Sequence, residues 1–262
     1  MMGQFLRDQR IKNVSIDLAA LRQLNDIFVA RWQAHNGSVP EGPARAVPSY
    51  VIRFDEKGYR FVNFDDVVKC FLEARHVERV IYTIDSGLHR QSSGLLGVNC
   101  ELRMDAKDQN LCWLTVTADN KDWVDTTFAA FSEALAGQHN WNGLVRTAWT
   151  GLLVQLLGVV IGFVFGIWAA VKVSPRLAID NAFAITLVFA LLIYSNIWGY
   201  VNAQITRAID LALPNLRFKR PDKDLMYFLI QAVVVGLIVS LVLYVLNVLF
   251  GFIGSVLGPI TR

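Results

Sequence analysis

Hydrophobic and polar positions follow a helical rhythm, then an alternating one, and then give way to long uncharged runs. Leu18, Leu21, Leu24, Phe28 and Trp32 recur at helical spacing, with Ser15 placed to cap the helix. HNGSVPEGPARAVP, with three prolines, breaks the rhythm and is expected to be a mobile loop. SYVIRF and YRFVNF flank DEKG and predict a hairpin turning at Gly58. DDVVKCFLEARH predicts a short helix. VERVIYTID, GVNCELRMD and NLCWLTVTA alternate and are rich in β-branched and aromatic residues, so they predict three strands. Asp119 is the expected cap of a helix over 121–136, with Asp122 in the capping-box position. Trp123 or Val124, Phe128, Phe131 and Leu135 form its apolar stripe. The order α-ββαβββα predicts an α+β domain over residues 1–140, with one antiparallel sheet carrying helices on one face.

Beyond residue 146 the alternation stops. Residues 147–171, 181–206 and 225–261 contain no charged side chain. A helix needs about 20 apolar residues to cross the hydrocarbon, and each run is long enough. The expected architecture is therefore an all-α transmembrane region of three helices, 147–172, 181–206 and 225–250. A basic cytoplasmic loop, 207–224, separates the last two, and 251–262 forms an apolar C-terminal tail. Trp149 and Trp168 are spaced to sit at the two interfaces of the first helix, roughly 28 Å apart at helical rise. Hydrophobic residues make up 54% of the chain, yet the charge is unevenly shared. Residues 1–146 hold 17 Lys/Arg and 18 Asp/Glu, and the rest holds 8 and 4, too few to cover that half in water.

Loop charge sets the expected direction. Lys172 and Arg176 lie between the first two runs, while Arg207, Arg217, Lys219, Arg220 and Lys223 lie between the second and third. The more basic loop is expected in the cytoplasm, which places the α+β domain there too and the C-terminus outside, in a bacterial inner membrane. The N-terminus lacks the apolar core of a cleaved signal.

Candidate chemistry is sparse. No phosphate-binding, dinucleotide, serine-hydrolase or zinc-protease motif occurs. The three cysteines match no zinc or redox spacing, and the four histidines are scattered. Asp65 and Asp66 open the short helix, where the macrodipole favours them. No catalytic residue, cofactor or metal is expected. The N-terminal part is nearly neutral, so direct nucleic-acid binding is not expected either. His89 and Arg90, in the polar stretch 86–94, are the candidate contacts to a cytosolic ligand or protein partner.

The membrane half offers three further candidates. Gly158, Gly162 and Gly166 lie four apart on one face of the first run, a glycine zipper that admits a close helix. It fits packing against the chain's own helices and self-association equally well. Gln155, Asn196, Asn202 and Gln231 fall at matched depth, as an interhelical hydrogen-bonding layer or the lining of an oligomeric pore. Arg217, Lys219, Arg220 and Lys223, interleaved with Leu211, Leu213, Leu216 and Phe218, fit an ordinary basic loop that enforces topology or a segment resting on anionic lipid.

The expected partners are membrane lipids, further copies of the chain, and a cytosolic ligand or protein. The leading expectation is a non-enzymatic membrane protein whose cytosolic sensor domain controls oligomeric helices. The layout resembles compact sensor-plus-span effectors of bacterial antiviral systems, which implies a pore-forming or membrane-perturbing role. The alternatives are a membrane-anchored adaptor without a pore and, third, an enzyme with an unrecognised cytosolic site.

Overall fold

The computed structural model describes residues 4–219 except 141 and 146, together with seven isolated positions between 229 and 251. The third expected span and the C-terminal tail fall outside the described residues but for those positions. Residue contacts divide the chain into two units, residues 1–143 with 214–224 and residues 144–213 with 225–262.

The first unit is the α+β domain. Its strands are β1 (Phe5–Arg10), β2 (Val14–Ile16), β3 (Ala46–Phe54), β4 (Lys57–Phe61), β5 (Val77–Ser86), β6 (Asn99–Asp105) and β7 (Trp113–Ala118). Its helices are α1 (Leu18–Ser38), α2 (Phe64–Glu73), the single turn α3 (Gly87–Gln91) and α4 (Lys121–Ala136). Six strands form one antiparallel sheet in the order β1-β7-β6-β5-β3-β4. Alternation decides which face is covered. Tyr50, Ile52, Tyr82, Ile84, Leu102, Leu114 and Val116 are buried, while Val51, Ile81, Thr83, Arg103 and Thr115 between them are only half-buried. α1, α2 and α4 supply Leu21, Leu24, Phe28, Val67, Phe71, Val124 and Phe131 to the same core. Phe28 packs tilted against Tyr50 and edge-on against Tyr82, at centroid distances of 5.1 and 5.5 Å, and the Tyr82 hydroxyl donates to the Leu21 carbonyl. A buried phenol has to find such an acceptor.

Several local expectations need correction. The cap of α1 is Asp17, whose carboxylate accepts from the Ala20 amide at 2.7 Å, and Ser15 lies inside β2. Asn120 caps α4, accepting from the Trp123 amide, and Asp119 instead accepts from the Gly97 amide. The β3–β4 turn falls on Asp55 and Glu56, both at positive φ (47° and 66°), and Gly58 sits within β4. A two-residue hairpin turn of type I′ demands that backbone at both positions. Hydrogen bonds from the Arg75 and His76 amides to the Asp55 carboxylate hold it there without glycine. The expected mobile loop after Trp32 is pinned at both ends. The Trp32 indole N–H donates to the Ala46 carbonyl, and Asn36 makes two hydrogen bonds to the backbone of Ala46. β1 had no sequence signal, since FLRDQR is a strongly polar edge strand.

Glu78 ties the turn to the sheet. It is only 5% exposed and meets Lys107 at 2.7 Å, Arg53 at 2.9 Å and the Glu56 amide at 3.2 Å. The Lys107 hydrogen bond, with the Glu56 amide and the Lys107 and Arg53 charges, outweighs burial and holds its carboxyl below the usual range. A depressed carboxylate stabilises the fold fully above its unfolded-state pKa, about 4.3 for Glu, and loses that contribution as pH falls through its folded-state value. Melting temperature measured on the acid side should therefore fall less steeply below about pH 4 in Glu78→Gln than in the parent.

The second unit contains a helical hairpin, α6 (Ala148–Val173) and α7 (Ala182–Ala212), reached through the short α5 (Asn142–Val145). Residues 148–176 and 182–212 reach mean hydropathies of 2.4 and 1.8, and only 17% and 11% of their most apolar windows are buried. A core helix of a water-soluble protein would be mostly buried. Trp149 and Trp168 are both exposed, 73% and 53%. The two helices are long and apolar enough to cross a membrane.

Candidate functional site

The glycine face of α6 is occupied by α7 of the same chain. Gly158 lies against the Trp198 indole, Gly162 against the Tyr194 ring, and Gly166 against Leu187 and Leu191. The numbers descend on α7 as they rise on α6, so the helices are antiparallel. The Tyr194 hydroxyl donates to the Gly158 carbonyl at 2.9 Å, and the Tyr194 and Trp198 rings stack. Three missing side chains therefore create a slot for two aromatic rings.

Among the described residues, none of the amides expected at matched depth pairs across this hairpin. Asn196 is exposed and donates to the Leu192 carbonyl one turn back on α7. Gln155 is exposed on α6, Asn202 is half-buried, and Gln231 lies outside the described residues.

The segment after α7 returns to the domain. Pro214 and Asn215 lead into β8 (Leu216–Phe218), which pairs in parallel with β2 through Val14–Leu216, Ser15–Arg217 and Ile16–Phe218. Leu216 is 1% exposed, and Phe218 packs edge-on against Phe71 of α2. The Asn215 side chain accepts from the Asn13 amide at 3.0 Å and donates to the Ile11 carbonyl at 3.1 Å. Its carbonyl accepts from Val14, and the Lys219 amide donates to Ile16. Asn140 adds a backbone bond to Asn13 and a side-chain bond to Ser15, while Asn142 donates to the Pro214 carbonyl. Residues 11–16, 138–142 and 214–219, far apart in the chain, are thus sewn into one polar knot. A cleft of about 420 Å³ opens beside it, lined by Gln9, Lys12, Val14, Ser132, Leu135 and His139 among others.

This arrangement changes the reading of 207–224. α7 runs on to Ala212, and Leu216 and Phe218, which neither a plain basic loop nor a lipid-facing segment would bury, join the core of the domain. Leu213 is buried as well, and Leu211 is 81% exposed. Arg217 sits on β8 opposite Ser15, Lys219 is exposed just beyond it, and Arg220 and Lys223 lie outside the described residues. Three residues are too few for a periodicity, so β8 had no sequence signal beyond Leu216-x-Phe218.

His89 and Arg90 lie on α3, capped by Ser86, at the far end of β5. Arg90 pairs with Asp85 at 3.2 Å, and His89 is half-buried with its Nδ1 unpartnered among the described residues. The structure brings these two together but apart from the knot. Among the described residues no three His, Cys, Asp or Glu converge as metal ligands. Burial raises the pKa of the Cys100 and Cys112 thiols. No family model, no curated protein and no solved structure matches the chain.

Proposed function

We propose that the chain is a non-enzymatic, multi-pass membrane protein in which an α+β sensor domain acts on its own membrane helices through β8. The observation that carries this reading is the insertion of residues 214–219 into the domain core, two residues after α7 ends. A loop that only linked two spans would need no buried leucine and no amide bonded to two backbone groups. β8 instead makes the end of α7 answer to the state of β2. Val14 lines the cleft and pairs with Leu216, so a ligand or protein segment seated there bears directly on β8. Lys12 at its rim favours an anionic group.

The orientation follows from the same parts. An antiparallel hairpin returns the chain to its starting side, where the basic 214–219 segment joins the domain. By the positive-inside rule, the basic residues of 207–224 support a reading with the domain in the cytoplasm of a bacterial cell.

Full-length protein reconstituted in liposomes tests the coupling. Release of alkaline carbonate-washed protein from the vesicles would overturn the membrane reading. Asn215→Ala, which frees β8, is expected to raise ion flux above the parent. Equal flux, including none in either, would remove control of a pore and favour the anchored adaptor. That reading already draws support from the glycine face, which is filled by α7 and is not free to assemble subunits.

A further inference from the structure

We infer that the uncovered face of the six-stranded sheet is a self-association surface, which a second copy of this chain covers related by a two-fold axis. Strand register defines that face. One row across it runs Arg60, Val51, Ile81, Arg103, Trp113 and Arg10. The next row runs Ser49, Thr83, Glu101, Thr115 and Asp8. Apart from Val77, which lies beyond the β-bulge at Arg53/Phe54, the core-facing residues of these strands have the opposite parity, so α1, α2 and α4 do not cover these rows.

Three properties suit the face to a partner. Val51, Ile81 and Trp113 give the basic row an apolar, half-buried centre, and Val47 and Leu6 at the far end are 52% and 60% exposed. Arg103 lies over the Trp113 ring at 4.9 Å, with its Nε shielded and without a hydrogen-bond partner among the described residues. Arg10, Arg60 and Arg103 in one row, and Glu101 and Asp8 in the next, have no ion-pair partner among the described residues.

The charge order selects the occupant. Both signs are present in nearly equal number, so the face lacks the basic excess that anionic lipid or nucleic acid needs. A two-fold axis lying along the rows reverses strand direction in the second copy. The arginine row of each copy then faces the acidic row of the other, twice over, in an isologous contact. Sheets stack in this way about 10 Å apart, within reach of Arg–carboxylate pairs. Stacking without reversal sets arginine on arginine, and like charges exclude it.

The test uses the full-length chain in detergent, with mass measured by light scattering across a dilution series. The parent is expected to be a dimer. Arg103→Glu and Glu101→Arg each place like charges across the axis twice and should weaken dimerisation roughly tenfold or more. The chain carrying both changes restores opposite charges and should return to within about threefold of the parent. Mixing the two single variants should also give a heterodimer, which tests the pairing even if the double variant folds poorly. A monomeric parent would overturn the proposal. So would single variants of unchanged mass, or failure of the mixed, folded variants to associate.

Discussion

Gly162→Leu is expected to open the α6–α7 hairpin. A Cβ at Gly162 already collides with the Tyr194 ring, and one at Gly158 collides with Trp198. Neither neighbour is a flexible chain end, since each ring is held by its stack with the other, and Tyr194 is also hydrogen-bonded to the Gly158 carbonyl. A leucine there must expel the ring or separate the backbones. Overpacking of this kind costs about 1–3 kcal/mol, and more where nothing can relax. Gly151 and Gly199 provide internal controls on the same two helices, because a Cβ at either meets nothing within 4 Å. Spin labels at Val160 and Ile193, both exposed, would report the separation in a Cys70→Ser background. The expected result is a longer, broader distance distribution in Gly158→Leu and Gly162→Leu and an unchanged one in Gly151→Leu and Gly199→Leu. An unchanged distribution in Gly162→Leu would mean that the glycine face does not hold α7.

The glycine face also shows how far the sequence could be read. Spacing alone places Gly158, Gly162 and Gly166 on one side of a helix, but it does not say which helix fills the slot. Tyr194 and Trp198 decide it, and they lie one turn apart on α7, a spacing that an interfacial aromatic anchor shares. The sheet was legible for a similar reason. β3, β5, β6 and β7 each present a buried face, so their alternation is strong. β1 is an edge strand exposed at all six positions, and such a strand writes no hydrophobic pattern. The hairpin turn went to Gly58 on composition, whereas Asp55 reaches positive φ because two amides from the α2–β5 connection bind its carboxylate. β8 was the hardest to read, since what defines it is a partner strand some 200 residues away. Its two apolar residues look the same whether they meet lipid or a protein core.

Asn215→Ala carries the other large expected effect, and it isolates the knot from the rest of the core. Asn215 is 7% exposed, so water does not replace its bonds. Truncation leaves the Asn13 N–H and the Ile11 C=O without the side-chain partner each has in the parent. An orphaned buried group costs about 1–3 kcal/mol, so the pair amounts to roughly 2–6 kcal/mol. Set against a typical stability of about 5–15 kcal/mol, that is a large fraction, but it falls on one edge of the domain. The Asn215 side chain also bonds the Cys112 thiol just ahead of β7, but among the described residues it makes no hydrogen bond to the strands of the main sheet or to its helices. The damage should therefore be local, with β8 leaving β2 before the domain unfolds. Hydrogen exchange on the full-length protein distinguishes the two. The Val14 amide, bonded to the Asn215 carbonyl, and the Lys219 amide, bonded to Ile16, should lose protection. The amides of β5 and β6 should keep it. Lys219→Ala, which removes only an exposed side chain, should leave both patterns unchanged. Full protection of Val14 and Lys219 in Asn215→Ala would show that β8 is held without this amide, and the proposed route from the domain to α7 would lose its latch.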